Sequence, residues 1–286
     1  MKHPSVVVLT QSSWERINGS YFHIYELGLF LQNNGFDVFH WTDGLHNELD
    51  YTQRYTKTLP YLSDGVFPKN FNFLSYVLPS HNTSVLDKAK NIFLVVTDGI
   101  LNVLTADGGA CLLKYKDKLH FLYDTRLKNL LEGSNLWQTF SNMGHTHTYN
   151  WGVSRDIIIK SRKSGKWFMY AKTYKGQSQL DVVERAKHWA KENKVHFIQD
   201  IKCCLDPWNE YDGLLYTRNV DYSGRIMFEF SLANKPVVMF DSDPSFRKLT
   251  HHQIWNYPYV IEDIPEPSVD IMLFKQNPNT GEDGSD

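Results

Sequence analysis

Cysteine is nearly absent from this chain: three in 286 residues, two of them adjacent at Cys203 and Cys204. No disulfide framework can be built from that set, and a reducing compartment is expected. No apolar run reaches the roughly 20 residues that a membrane-spanning helix needs. The opening "MKHPSVVVLTQSSWER" has too short an apolar run for a secretory signal. An excess of one charge is missing as well, since 30 Lys and Arg face 32 Asp and Glu for a net charge of −2. The overall balance therefore demands no particular partner. No internal repeat is present. What remains is a soluble intracellular protein of ordinary globular composition, 42% hydrophobic and 14% aromatic, long enough to bury a substantial core.

What the chain does contain is alternation. "SVVVLT" (Ser5–Thr10) reads as a buried strand, and "YFHIYELGLFLQNNG" (Tyr21–Gly35) carries apolar residues at near-helical spacing and stops at Asn34-Gly35. "DVFHW", "NIFLVVTDG" and "KLHFLYD" read as three further strands. From Asn129 to Asn150 periodicity fades and a loop is expected. Beyond it come "WFMYA", the amphipathic "QLDVVERAKHWAKEN", "VHFIQ", "GLLYT" and "VVMFD". Strands separated by helices call for parallel sheets covered on both faces. The expected class is thus α/β, with two Rossmann-like doubly wound domains facing a cleft. The expected division is 1–154, 155–264 and a partly disordered C-terminal segment, 265–286.

One stretch, "DYSGRIMFEFSLANKPVVMFD", concentrates the chemistry. Arg225 and Glu229 stand at i and i+4 on one helix face, after a Ser223-Gly224 turn that leaves the first helical N–H groups unpaired. Asn234 is a candidate left-handed stop and Pro236 blocks continuation. Two readings follow. The pair is an exposed intrahelical ion pair contributing about 0.3–0.5 kcal/mol. Otherwise the helix N-terminus and Arg225 neutralise a diphosphate while Glu229 accepts both ribose hydroxyls.

The "E…ANKPVV" run, Glu229 through Val238, resembles the glutamate–helix–strand element of nucleotide-sugar glycosyltransferases of the two-domain GT-B kind. More narrowly, the chain resembles the bacteriophage DNA glycosyltransferases, of the DNA β-glucosyltransferase type. The stretches that carry this are "SYFHIYELGLFLQNNGFDV", "IFLVVTDGILNVL", "KYKDKLHFLYDTRL", "MYAKTYKGQSQ" and "YDGLLYTRNVDYSGRIMFEFSLANKPVVMFD". That resemblance implies transfer of glucose or arabinose from a UDP-sugar to 5-hydroxymethylcytosine in double-stranded DNA, in the cytoplasm of an infected bacterial host, by a monomer. It implies Asp124 as catalytic base, and Arg225 on the diphosphate, one residue further from Glu229 than the family's spacing. Lys172 and Lys175 stand near the family's diphosphate arginines, so point charges replace bidentate forks. His23 falls about where the family has a carboxylate near the sugar. Gly19 and Tyr222 complete the expected donor set. Mg²⁺ or Mn²⁺ at the diphosphate is allowed by the resemblance, without a dedicated protein ligand set.

Transfer with inversion needs a base for the acceptor hydroxyl and positive groups for the departing diphosphate. Asp124 ends the "HFLY" strand, where ligands of such sheets bind; its plainer role is a loop-entry cap. The segment Arg155–Gly176 holds seven Lys and Arg against Asp156 alone. With Arg126, the residues Arg155, Lys160, Arg162 and Lys163 form the expected DNA-binding set, although a solvated basic face is the common alternative. A base in a duplex would have to flip out, supported by Trp137, Phe140, Tyr149 and Trp151. Asp241–Asp243 ("DSD") matches a metal-binding pattern of the single-domain glycosyltransferase class. His145 and His147 lack a third ligand in sequence. Rival readings are a glycosyltransferase acting on a polysaccharide or small acceptor, and a non-catalytic DNA- or nucleotide-binding protein.

Overall fold

Strand β1 (Val6–Ser12) organises the first sheet, pairing in parallel with β2 (Asp37–Asp43) on one side and β3 (Phe71–Ser75) on the other. The computed structural model describes residues 6–12, 19–43, 51–63, 66–76, 78, 83–96, 112–125, 135–160, 162–171, 179–200, 206–218, 224–240 and 257–275. From β3 the sheet continues in parallel through β4 (Asn91–Val95), β5 (Leu119–Asp124) and β6 (His145–Asn150). An antiparallel edge strand, β11 (Ser268–Val269), closes it. The order β11-β6-β5-β4-β3-β1-β2 reverses direction between β1 and β3, the switch point at which doubly wound sheets bind ligands.

Helix α1 (Gly19–Asn33) links β1 to β2 and is buried without a break from Phe22 to Leu29. It packs on β1, β2 and β11, so no single face is left to water. Its end is a left-handed stop at Gly35, φ 86°, where Phe36 N–H reaches Leu31 O at 3.2 Å and Gly35 N–H reaches Gln32 O at 3.0 Å. The stretch read as a loop holds a helix, α3 (Asn135–Met143), and the strand β6. Phe140, Tyr149 and Trp151 are buried there as packing, which corrects their expected support of a flipped base. The side chain of Trp137 lies outside the described residues.

The second sheet has the order β10-β9-β7-β8, all parallel, from β7 (Trp167–Tyr170), β8 (Phe197–Asp200), β9 (Leu214–Tyr216) and β10 (Val237–Met239). It too is doubly wound, with its switch between β7 and β9. Helix α4 (Leu180–Glu192) turns Val182, Val183, Ala186 and Ala190 inward at helical spacing, onto Met169, Leu215 and Val238. Two short helices, α2 (Ser84–Lys88) and α5 (Pro207–Glu210), precede β4 and β9, and helix α6 (Arg225–Leu232) follows β9 and ends as the sequence suggests. Asn234 is left-handed, φ 56°, with its N–H on Ser231 O and the Lys235 N–H on Phe230 O, both 2.9 Å.

The chain thus carries two α/β units with doubly wound, chiefly parallel sheets, as the sequence led us to expect. They comprise Met1–Leu49, Lys57–Asn150 and Pro267–Asp286 in one, and Asp50–Thr56 with Trp151–Glu266 in the other. Residues 268–274 belong to the first unit, where Phe274 is fully buried and stacks on Phe93 with ring centroids 4.1 Å apart. Among the described residues no helix is long and apolar enough to cross a membrane.

Candidate functional site

In the second unit, α6 starts from a left-handed Gly224, φ 52°, at the C-terminal edge of the sheet. Its residues from Arg225 to Ser231 are all buried. Arg225 and Glu229 are 4% and 5% exposed, and Arg225 Nε donates to Glu229 Oε1 at 2.5 Å. The pair is therefore no solvated decoration of the helix, and the reading of it as an exposed ion pair is corrected.

A third side chain meets them. Arg54 follows the 3₁₀ turn Tyr51–Gln53 and is 5% exposed. Its Nη2 donates to Glu229 Oε1 at 2.8 Å, its Nη1 to Asp206 Oδ1, and its Nε to the Tyr55 hydroxyl at 3.2 Å. The guanidinium carbon lies 4.5 Å from the Trp208 ring centroid, a cation–π stack. The buried Arg54, Arg225 and Glu229 form, with the half-buried Asp206, a quartet of two cations and two anions. Burial alone lowers the Arg54 pKa, but Tyr55, Glu229 and Asp206 outweigh it against Arg225, and the result lies above the ordinary value. Burial raises the Asp206 carboxyl, and Arg54 and Lys160 pull it back only in part. Those two shifts pull the pair in opposite senses. The geometry favours an ionised pair at neutral pH, because the Asp206 side chain keeps 21% exposure and lies against a guanidinium.

At the switch point of the same sheet, Thr217 and Arg218 leave the end of β9. The Thr217 hydroxyl donates to Tyr170 O at 3.2 Å, and the Arg218 guanidinium carbon stands 5.0 Å from the Tyr170 ring centroid. Arg218 is buried. Lys172, Lys175 and Tyr222 lie outside the described residues, as do Arg126 and Asp241–Asp243.

In the first unit, Asp124 is the last residue of β5 and is 4% exposed. It pairs in register with Tyr149, whose carbonyl accepts the Thr125 N–H at 3.0 Å. Gly19 is the first residue of α1 and His23 is buried one turn on, followed by a buried Glu26. The register also brings His120 to His145 and His147. The rings stack, and His120 Nδ1 and His147 Nε2 share a hydrogen bond of 2.9 Å. Among the described residues no group of three or more His, Cys, Asp or Glu could hold a metal ion.

Sequence reasoning missed Arg54, Asp206 and Arg218. "YTQRYTK" and "LDPWNE" carry no local signal of a site, but Arg218 was legible as a charge placed directly after the "GLLYT" strand.

The basic stretch is bound to its own unit at several points. Arg155 Nε pairs with Glu266 at 3.1 Å and its Nη2 donates to Ile264 O at 3.1 Å. The Lys160 N–H donates to Asn209 Oδ1 at 2.6 Å, while Asp212 receives the N–H groups of Ser164 and Gly165 at 2.9 and 2.7 Å. Lys160, Arg162 and Lys163 are exposed, the pattern of a solvated face.

No family model matches the sequence, and no curated protein matches it. Among solved structures, the chain is similar to WaaG, described as a glycosyltransferase involved in lipopolysaccharide biosynthesis. The identity is 12%, with 81% of this chain and 80% of that one covered, and a TM-score of 0.40. It is also similar to Anabaena Alr3699/HepE, solved in complex with UDP and glucose. There the identity is 12%, with 82% and 80% covered, and a TM-score of 0.42. Neither description involves DNA, and this overturns the expected partner, double-stranded DNA bearing 5-hydroxymethylcytosine. The DNA-binding set of Arg126, Arg155, Lys160, Arg162 and Lys163 is withdrawn with it; Arg155 is already paired with Glu266.

Proposed function

We propose that the chain is a glycosyltransferase that takes a sugar from a UDP-sugar and passes it, with inversion, to a carbohydrate or other small hydroxyl acceptor. The observation that carries this reading is the Glu229 carboxylate, buried between two guanidiniums on the helix after β9, at the ligand-binding edge of a doubly wound parallel sheet. A carboxylate so held stays ionised and aimed, which is what acceptance of two ribose hydroxyls requires. Arg218, at the switch point, and Arg225, at the first turn of α6, supply charge for the diphosphate, together with Lys172 and Lys175.

In this mechanism the acceptor hydroxyl attacks the anomeric carbon as Asp124 takes its proton. The bond from that carbon to the β-phosphate oxygen breaks, and UDP departs with the electron pair. One displacement suffices, so no covalent sugar intermediate forms. Glucose and arabinose are the two sugars to test. Gly19, His23 and Tyr222 belong to the proposed donor set, with His23 standing where the resemblance has a carboxylate near the sugar. Mg²⁺ or Mn²⁺, if it takes part, would sit on the diphosphate, since no group of three or more His, Cys, Asp or Glu among the described residues could hold it.

Calorimetry with UDP, followed by UDP release from UDP-glucose and UDP-arabinose in the presence of oligosaccharide acceptors, tests the proposal. Binding of UDP with sugar-dependent release is expected. Failure to bind UDP would remove it.

A further inference from the structure

We propose that Arg54 is the positioning residue for Glu229, and so for discrimination of the ribose hydroxyls of a nucleoside diphosphate. The inference rests on the donor reading above. Arg225 holds the carboxylate from within its own helix, as an i,i+4 pair. Arg54 approaches from a segment 175 residues away in sequence. It is held along its whole length. Its backbone N–H donates to Tyr51 O at 3.0 Å, and its carbonyl accepts the Ile158 N–H at 2.8 Å. The guanidinium is occupied at three nitrogens, by Tyr55, Asp206 and Glu229, with Trp208 against its face.

A planar fork with each edge on a different partner cannot swing without breaking several contacts at once. Lysine would keep the charge and lose the fork, since an ammonium is a point donor on a flexible stem. Arg54→Lys therefore separates charge from positioning. Asp206→Asn weakens the anchor on Nη1 while leaving both guanidiniums in place, and serves if Arg54→Lys does not fold.

The experiment compares UDP with 2′-deoxy-UDP by calorimetry, with thermal unfolding as the check on folding. A hydrogen bond to a charged group makes wild type favour UDP by about tenfold or more. In Arg54→Lys the ratio is expected to fall to within about twofold. Asp206→Asn should give a ratio between the two. A role limited to stability would move the melting temperature and leave the ratio alone. An unchanged ratio in a folded Arg54→Lys protein, or in Asp206→Asn where the lysine variant is unfolded, overturns this inference and leaves the donor reading intact. Wild type that binds neither nucleotide removes the donor reading and this inference with it. Wild type that binds both equally overturns the ribose role of Glu229, and again this inference.

Discussion

Glu229→Gln keeps the shape of a buried side chain and removes its charge. In the native quartet Glu229 pairs with both Arg54 and Arg225, and Asp206 pairs with Arg54; the variant removes the negative charge that lies against both guanidiniums. Unit charges about 4 Å apart interact by about 4 kcal/mol at an effective dielectric of about 20, and Glu229 faces two of them. The amide oxygen still accepts one hydrogen bond and the surroundings relax, so the net loss is smaller than that sum. Breaking one partner of a buried pair costs about 3–5 kcal/mol, a large part of the ~5–15 kcal/mol that holds a domain together. Urea unfolding followed by circular dichroism and tryptophan fluorescence should therefore show a clear drop in midpoint. The drop should barely change between low and high salt, because the site is shielded from screening ions. Adding Arg54→Met to Glu229→Gln removes the surplus cation, and the double variant should recover about 1 kcal/mol or more relative to the sum of the single losses. A loss below about 1 kcal/mol for Glu229→Gln, with strict additivity in the cycle, would mean that the quartet is solvated, and the reasoning would fail.

Asp124→Asn should reduce turnover by about 10²–10⁴-fold with UDP affinity unchanged; a variant that retains full turnover would strip Asp124 of its role as base. His120 has its pKa lowered to about 4 from 6.5, by burial first and then by His147 and His145. Both folded and unfolded forms are neutral above 6.5. Between 6.5 and 4 the unfolded chain takes the proton first, so stability drops as the pH is lowered, by at most about 1.4 kcal/mol per unit. His120→Phe, which keeps a ring against Phe93, should shrink the difference in urea midpoint between pH 7 and pH 5; an undiminished difference counts against this account. At Gly152 an added Cβ would meet Glu266 C at 2.3 Å and Pro265 O at 2.4 Å, both backbone atoms. Gly152→Ala should cost about 1–3 kcal/mol, and an unaltered melting temperature would show that the approach of 265–266 yields readily.

Elements with one dominant local signal were legible. The helix over 180–192, the stop at Asn34-Gly35 and the left-handed Asn234 before Pro236 follow from periodicity and backbone sterics, which act within a few residues. Strand β6, "HTHTYN", was not legible, because it is fixed by pairing with β5 on one side and β11 on the other, and only Tyr149 of it is buried. Strand β3, "FNFLS", passed unread as a short run in which Asn72 is buried and donates to Phe274 O at 2.9 Å, a partner 202 residues away. In the first unit, Asp124 was picked out at a strand end through the family resemblance; in the second, Arg225 and Glu229 could be singled out by their spacing. Their setting could not be read, since an arginine and a glutamate at i,i+4 look the same in water and in a core.

The linear chain by itself determined the alternation of strands and helices, the helix stops and the charged pair on α6, because each depends on interactions between near neighbours. Only the tertiary structure decided that this pair is buried, that Arg54 closes on it beside Asp206 and Trp208, and that three histidines stack across β5 and β6. Burial and partnership at such separations are set by how sheets and connections pack, and no short-range pattern encodes them.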